Sequence, residues 1–149
     1  MPKLNLQAIE QSNRTGYPSP FAEAMTRRWT RRLAPTAGLT DFGASHVLLP
    51  PGGISSQRHW HAEEDELVIL LAGEAVLVEE GRETVLRAGD IAAFPKGVPN
   101  GHHLVNRSDA DCVFVAVGRP AAGHCYYPDI DLHIHGASGR FTRKDGTPY

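Results

Sequence analysis

Between Phe42 and Val117 the chain breaks into short runs of β-branched and apolar residues, separated by Gly, Pro and charged turns. Such a pattern predicts an all-β sandwich or barrel. The runs are "FGASHVLL", "SQRHWH", "ELVILL", "EAVLVEE", "RETVLR", "DIAAFP", "HHLVN" and "DCVFVAV", and eight strands suffice to close a small barrel. "EEGRE" reads as a hairpin loop around Gly81. Outside this region the pattern changes. Pro18, Pro20 and Pro35 punctuate an irregular N-terminal arm over 1–41, in which "FAEAMTRRWTRRL" is expected to form a short helix. Beyond the barrel, about 42–118, residues 119–149 alternate aromatics with turn formers and are expected to wrap the outside as an extended tail. The 149 residues fit one domain.

The stretch "GGISSQRHWHAEEDELVILLAG" carries the chemistry. Residues two apart on a strand face the same side, about 6.6 Å apart along the chain. His59 and His61 therefore point inward with Gln57 on their face, and Trp60 points out. "AEED" has the length of a tight reversal, after which Glu66 opens the next strand and returns a carboxylate toward the two imidazoles. Two nitrogens and one oxygen form a donor set for a first-row divalent metal: iron, manganese, nickel, cobalt or zinc. Glu63, Glu64 and Asp65 read as a solvated turn. Strand parity puts Val68, Leu70, Val76 and Leu104 on an apolar interior wall, so Gln57, Val68, Leu70 and Leu104 are candidate substrate contacts.

Composition narrows the partners. With 15 basic and 17 acidic residues the chain has a net charge of -2, which gives no pull toward nucleic acid or an anionic membrane. No segment has the length of a signal peptide core or a membrane span, so a cytoplasmic protein is expected. In that compartment Cys112 and Cys125 read as thiols, Cys112 as a small core residue. Arg27, Arg28, Arg31 and Arg32 invite a nucleic-acid reading, but the arm has no pair of helices for a helix-turn-helix. Pairing with carboxylates is the expectation instead. His124, His133 and His135 read as surface residues of the tail.

Gly53, His59, His61, Glu66 and Gly73 match the pattern G-x5-H-x-H-x4-E-x6-G, the first signature of the cupin superfamily. The second, G-x5-P-x-G-x2-H-x3-N, is matched at Gly89, Pro95 and Gly97. There Asn100 stands where the histidine belongs, and two extra residues intervene before His102 and Asn106. An insertion of two preserves strand parity, so His102 would be the fourth ligand. His103 would replace it if Gly101 formed a one-residue bulge. The resemblance implies a double-stranded β-helix, a jelly-roll barrel with a metal at its wider end. "FPKGVPNGHHLVNRSDA" and "FTRKDGTPY" resemble a group of small single-domain bacterial cupins, most of them without an assigned reaction. Gly73, Gly89 and Gly97 are expected at turns with positive φ.

Three imidazoles and one carboxylate leave two adjacent positions on a six-coordinate ion. A metal-dependent dioxygenase, isomerase or lyase acting on a small oxygenated molecule is one expectation. A non-catalytic binding or sensing module is the alternative. Gln57 cannot accept a proton, and Tyr126 and Tyr127 lie in the tail, so no separate general base is evident in the barrel. The resemblance implies that small cupins often pair, and a homodimer is expected.

Overall fold

A computed structural model of the chain describes residues 3–119, 123–136 and 138–149; the other positions, in the expected arm and tail, lie outside the described residues. The strands are β1 (Trp29–Arg32), β2 (Gly43–Leu49), β3 (Trp60–His61), β4 (Glu66–Ala72), β5 (Glu74–Glu79), β6 (Arg82–Arg87), β7 (Ile91–Phe94), β8 (His103–Val105), β9 (Cys112–Gly118), β10 (Cys125–Tyr127), β11 (Leu132–His135) and β12 (Arg140–Thr142). One helical turn, α1, spans Leu33–Thr36. The five-stranded sheet has the order β1-β2-β9-β4-β7, the three-stranded sheet β6-β5-β8, and a four-stranded sheet β12-β11-β10-β3. This is the double-stranded β-helix.

The core lies between the five-stranded and three-stranded sheets. Val47 and Leu49 of β2, Val68 and Leu70 of β4, and Phe114 of β9 meet Leu77 of β5, Leu86 of β6 and Leu104 of β8. The alternation read from the sequence places one side of β4 and β8 there, whereas on β5 it is Ala75 and Leu77, not the expected Val76, that join the core. Cys112 is fully buried in the same core, and both cysteines are free thiols. Between β4 and β5 the chain turns at Gly73, whose φ is +73°. A Cβ there would strike the Asp111 carbonyl, so both backbone conformation and space require glycine. Gly89 and Gly97 also have positive φ. No helix among the described residues is long and apolar enough to cross a membrane.

Each of the eight expected runs contains a strand, though "SQRHWH" keeps only Trp60–His61, and both flanks differ from expectation. "FAEAMTRRWTRRL" becomes a single 3₁₀ turn at Phe21–Met25, then β1, then α1. β1 pairs with β2 from Trp29↔Leu48 to Arg32↔Ser45, and this added strand outweighs a helical propensity worth only tenths of a kcal/mol per residue. The tail does more than wrap the outside, because β10 pairs with β3 and registers Cys125 against His61. Arm and tail then share a second apolar cluster, in which Tyr17 and Phe21 pack with Cys125, Tyr127 and Leu132.

Candidate metal centre

Three strand starts converge. His59 and His102 form an antiparallel bridge ahead of β3 and β8: His102 N–H donates to the His59 carbonyl (2.9 Å) and His59 N–H to that of His102 (3.2 Å). Cross-strand partners project from the same face, so the two imidazoles lie side by side. His61 follows on β3, and Glu66 opens β4. His59 Nε2 lies 3.1 Å from His61 Nε2, and His102 Nε2 lies 3.0 Å from Glu66 Oε2. The same Glu66 oxygen is 3.7 Å from His61 Nε2 and 3.9 Å from His59 Nε2. Two donors held about 2.1 Å from one ion lie about 3.0 Å apart at right angles and about 3.4 Å apart at the tetrahedral angle. These four separations fall in the range that donors to one ion span.

The neighbours fix the rings. His59 Nδ1–H donates to the Gln57 carbonyl (2.9 Å), which leaves the Nε2 lone pair facing the cluster. His102 stacks on Phe94 with centroids 3.6 Å apart. Burial pushes the His59 imidazole below its ordinary value, with His61 and His102 adding to this and Glu66 opposing it. Burial alone would raise the Glu66 carboxyl, but the hydrogen bond to His102 and the surrounding imidazoles bring it down, so it stays ionised. A neutral His59 ring beside an ionised carboxylate is the protonation state a metal requires. His59, Glu66 and His102 form one group able to hold an ion, and His59, His61 and Cys125 another.

His103 is not in the cluster; its Nδ1–H donates to the Ser56 carbonyl (2.9 Å). Among the candidate substrate contacts, Val68 and Leu104 line a cavity of about 930 Å³ whose floor includes His59, Glu66 and His102. Leu70 is 1% exposed and sealed in the core. The Gln57 side chain turns instead toward the Phe21 carbonyl (3.5 Å). Asn106 is fully buried, and its amide donates to the Leu49 and Ala110 carbonyls (both 2.8 Å), a structural tie.

Other readings need correcting. Glu64 is buried, accepts from Gly123 N–H (2.9 Å) and lies 3.5 Å from His61 Nδ1, so it is no solvated turn residue. Glu63 accepts from His124 N–H, and Asp65 from Lys96 N–H. Of the clustered arginines, Arg27, Arg28 and Arg31 bond backbone carbonyls rather than carboxylates: Arg27 to Pro51, Arg28 to Ser55, Arg31 to Ile9. Arg28 and Arg32 also line the cavity, as does Tyr17. The Tyr17 hydroxyl is raised to about 12 by burial, partly offset by its hydrogen bond with Tyr127. Only the i, i+3 spacing of His61 and Glu64 hinted at any of these in the sequence.

The site therefore defines a jelly-roll barrel with a histidine and carboxylate cluster opening into a cavity. Residues 45–118 match the cupin domain family. The sugar phosphate isomerase of the cupin superfamily from Silicibacter pomeroyi has a crystal structure similar at TM-score 0.94, with 45% identity over 99% of this chain and 96% of that one. A Cupin 2 conserved barrel domain protein from Salinispora arenicola is similar at TM-score 0.58, with 25% identity over 82% of this chain and 89% of that one. The oxalate-binding protein of Thermotoga maritima is 35% identical over 49% of this chain and 58% of its own. The chain spans 29% and 58% of the lengths of the curated relatives it matches. It belongs to the cupin superfamily.

Proposed function

We propose that the chain is a metal-dependent isomerase of small phosphorylated sugars. The carrying observation is a single cavity shared by the donors His59, Glu66 and His102 and by the guanidinium-bearing residues Arg14, Arg28 and Arg32. Hydroxyl-bearing Ser12, Thr15 and Thr30 line the same space, while Val47, Val68 and Phe114 supply apolar wall. Cations with hydroxyls at one part and an ion-binding cluster at another suit a molecule with an anionic end, hydroxyls and a carbonyl. The likeness to the Silicibacter pomeroyi isomerase supports the same reading.

A divalent iron, manganese, nickel, cobalt or zinc ion on His59, His61, Glu66 and His102 would supply Lewis-acid polarisation of a substrate carbonyl. Arg28 holds the phosphate. Tyr17, kept protonated by burial, donates to a substrate oxygen. His103, with Nδ1–H committed to Ser56, keeps Nε2 as the acceptor that moves a proton between adjacent carbons. The apolar wall limits water around the exposed carbanionic carbon.

The test is incubation of metal-reconstituted protein with aldose and ketose phosphates in deuterated water, followed by NMR. Interconversion with deuterium appearing beside the carbonyl is expected, and Arg28→Gln should raise KM more than it lowers kcat. No conversion and no exchange across the panel would overturn the reading. A binding role without turnover is the second reading, favoured by the oxalate-binding relative. Tight oxalate binding with no deuterium incorporation would establish it. The proposal also takes the chain to act in the cytoplasm as a homodimer, and sedimentation at the mass of one chain would remove the dimer.

A further inference from the structure

The four-stranded sheet has two chemically different faces. Along β10 the side chains alternate, so Cys125 and Tyr127 face the barrel cluster while Tyr126 faces away. His124 lies two residues before Tyr126 and shares its outer face. On β11 the register Tyr126↔His133 puts His133 on that face, and His135 follows two residues later. Three imidazoles, one just ahead of β10 and two on β11, thus gather on the side opposite His61 and Cys125.

Their geometry is close. His124 Nδ1 lies 3.1 Å from His133 Nε2, and one ring nitrogen from each of the three residues falls within 4.8 Å of the others. Cis donors on one ion stand about 3.0 Å apart and trans donors about 4.2 Å, so the spacing accommodates a shared ion. The rings are held before any ion arrives. His133 stacks on Tyr126 (centroids 4.6 Å, 17°), which stacks on Trp60 (4.5 Å, 18°). The His124 backbone is clamped on both sides: its N–H donates to Glu63 Oε2 (2.7 Å) and its carbonyl accepts from Ala62 N–H (3.0 Å). A Cβ at Gly136 would sit 3.3 Å from His124 Nε2, so the residue after His135 is one that leaves room for the ring.

We propose that His124, His133 and His135 form a second metal site on the outer face of the tail sheet, separate from the barrel cluster and selective for zinc, nickel or copper. An all-imidazole donor set suits these ions and not calcium, magnesium or manganese. A bound ion would tie the residue ahead of β10 to β11, clamping the hairpin whose inner face carries Cys125 and Tyr127. The proposal does not rest on the isomerase reading.

Chelator-stripped full-length protein is loaded with micromolar zinc, passed through gel filtration and measured for zinc per chain. Wild type is expected to carry about two ions, His61→Ala about one, His133→Ala about one, and the double variant almost none. If His133→Ala loses its fold by circular dichroism, His135→Asn at an exposed position takes its place. Zinc K-edge absorption of the His61→Ala protein supplies a reading free of any tail substitution, with imidazole nitrogens as the protein donors expected. Equal zinc in wild type, His133→Ala and His135→Asn, or a His61→Ala protein that carries no zinc, would overturn the second site. Equal zinc in wild type and His61→Ala, with loss in His133→Ala, would support the tail site and instead count against the barrel metal.

Discussion

Glu64→Gln separates orientation of a donor from the donor itself. Glu64 is 6% exposed and accepts from Gly123 N–H through Oε1, while its Oε2 lies 3.5 Å from His61 Nδ1. That Nδ1 is buried without a hydrogen-bond partner among the described residues. When His61 Nε2 binds a cation, the proton must sit on Nδ1, and the facing carboxylate favours this tautomer. Glutamine keeps an acceptor for Gly123 but can turn an amide N–H toward Nδ1, which favours the tautomer with the proton on Nε2. Closing this 3.5 Å contact to a hydrogen bond on metal binding would be worth about 1.5–3 kcal/mol, the range for a bond to a charged partner. Loss of a carboxylate orienting a metal-bound histidine weakens binding by about 10–100-fold, or about 1.4–2.8 kcal/mol. The two figures agree. The assay is competition for zinc against a fluorescent chelator at pH 7.5 in a His133→Ala background, so that only the barrel ion is read. Affinity within about threefold of the parent, in a variant with an unchanged dichroism spectrum, would refute the orienting role.

His102→Ala should abolish barrel metal binding, whereas His103→Ala should keep the ion and lose turnover, both read by zinc content and the deuterium assay; the reverse pattern would exchange their roles. Leu70→Ala empties a fully enclosed core position and should cost about 2–5 kcal/mol, measured from urea midpoints, with metal affinity unchanged. The Asp129 carboxyl is held below its usual range chiefly by hydrogen bonds from Arg58 at 2.6 and 2.7 Å, against opposing burial, with His103 and Lys144 adding to the lowering. A lowered folded value means stability present above the ordinary carboxylate range, about pH 4, and lost as pH falls through the folded value. The gap in urea midpoint between wild type and Asp129→Asn should therefore be full at pH 7 and close below pH 4; a gap independent of pH would contradict it.

The barrel and the segment bearing His59 and His61 were legible because each rests on a local period. Alternation in "ELVILL" and "DCVFVAV" survives in the register of β4 with β9, and the two-residue spacing of His59 and His61 survives as a bridge at His59 followed by β3. Beyond the two-residue insertion, His102 bridges His59 and stacks on Phe94, on the face that parity assigned to it. Partners far apart in sequence were not legible. Tyr17 reaches Tyr127 across more than a hundred residues with ring centroids 5.9 Å apart, and Cys125 finds His61 only through a strand pairing that no local pattern announces. β1 was hidden for the opposite reason: its local composition suits a helix, and only the free edge of β2 makes it a strand. Leu70 followed strand parity correctly but lies where the core has already closed.

Parity cannot tell the wall of a cavity from the interior beyond it, so depth along each strand decides which inward residues a ligand can reach. In β4 the inward series runs Glu66, Val68, Leu70: the first faces the histidine cluster, the second the cavity, and the third only other side chains. The cluster therefore sits at the strand starts, where tight packing gives way to open space. Side chains there lack covering layers of their own barrel and must be covered from elsewhere. The arm supplies Tyr17 and Arg28, and the tail supplies Cys125 and Tyr127, held in part by Arg58 on Asp129 and Glu64 on Gly123. Segments outside the barrel strands thus enclose the chemistry, and substitutions in them should alter the site while leaving the barrel core intact.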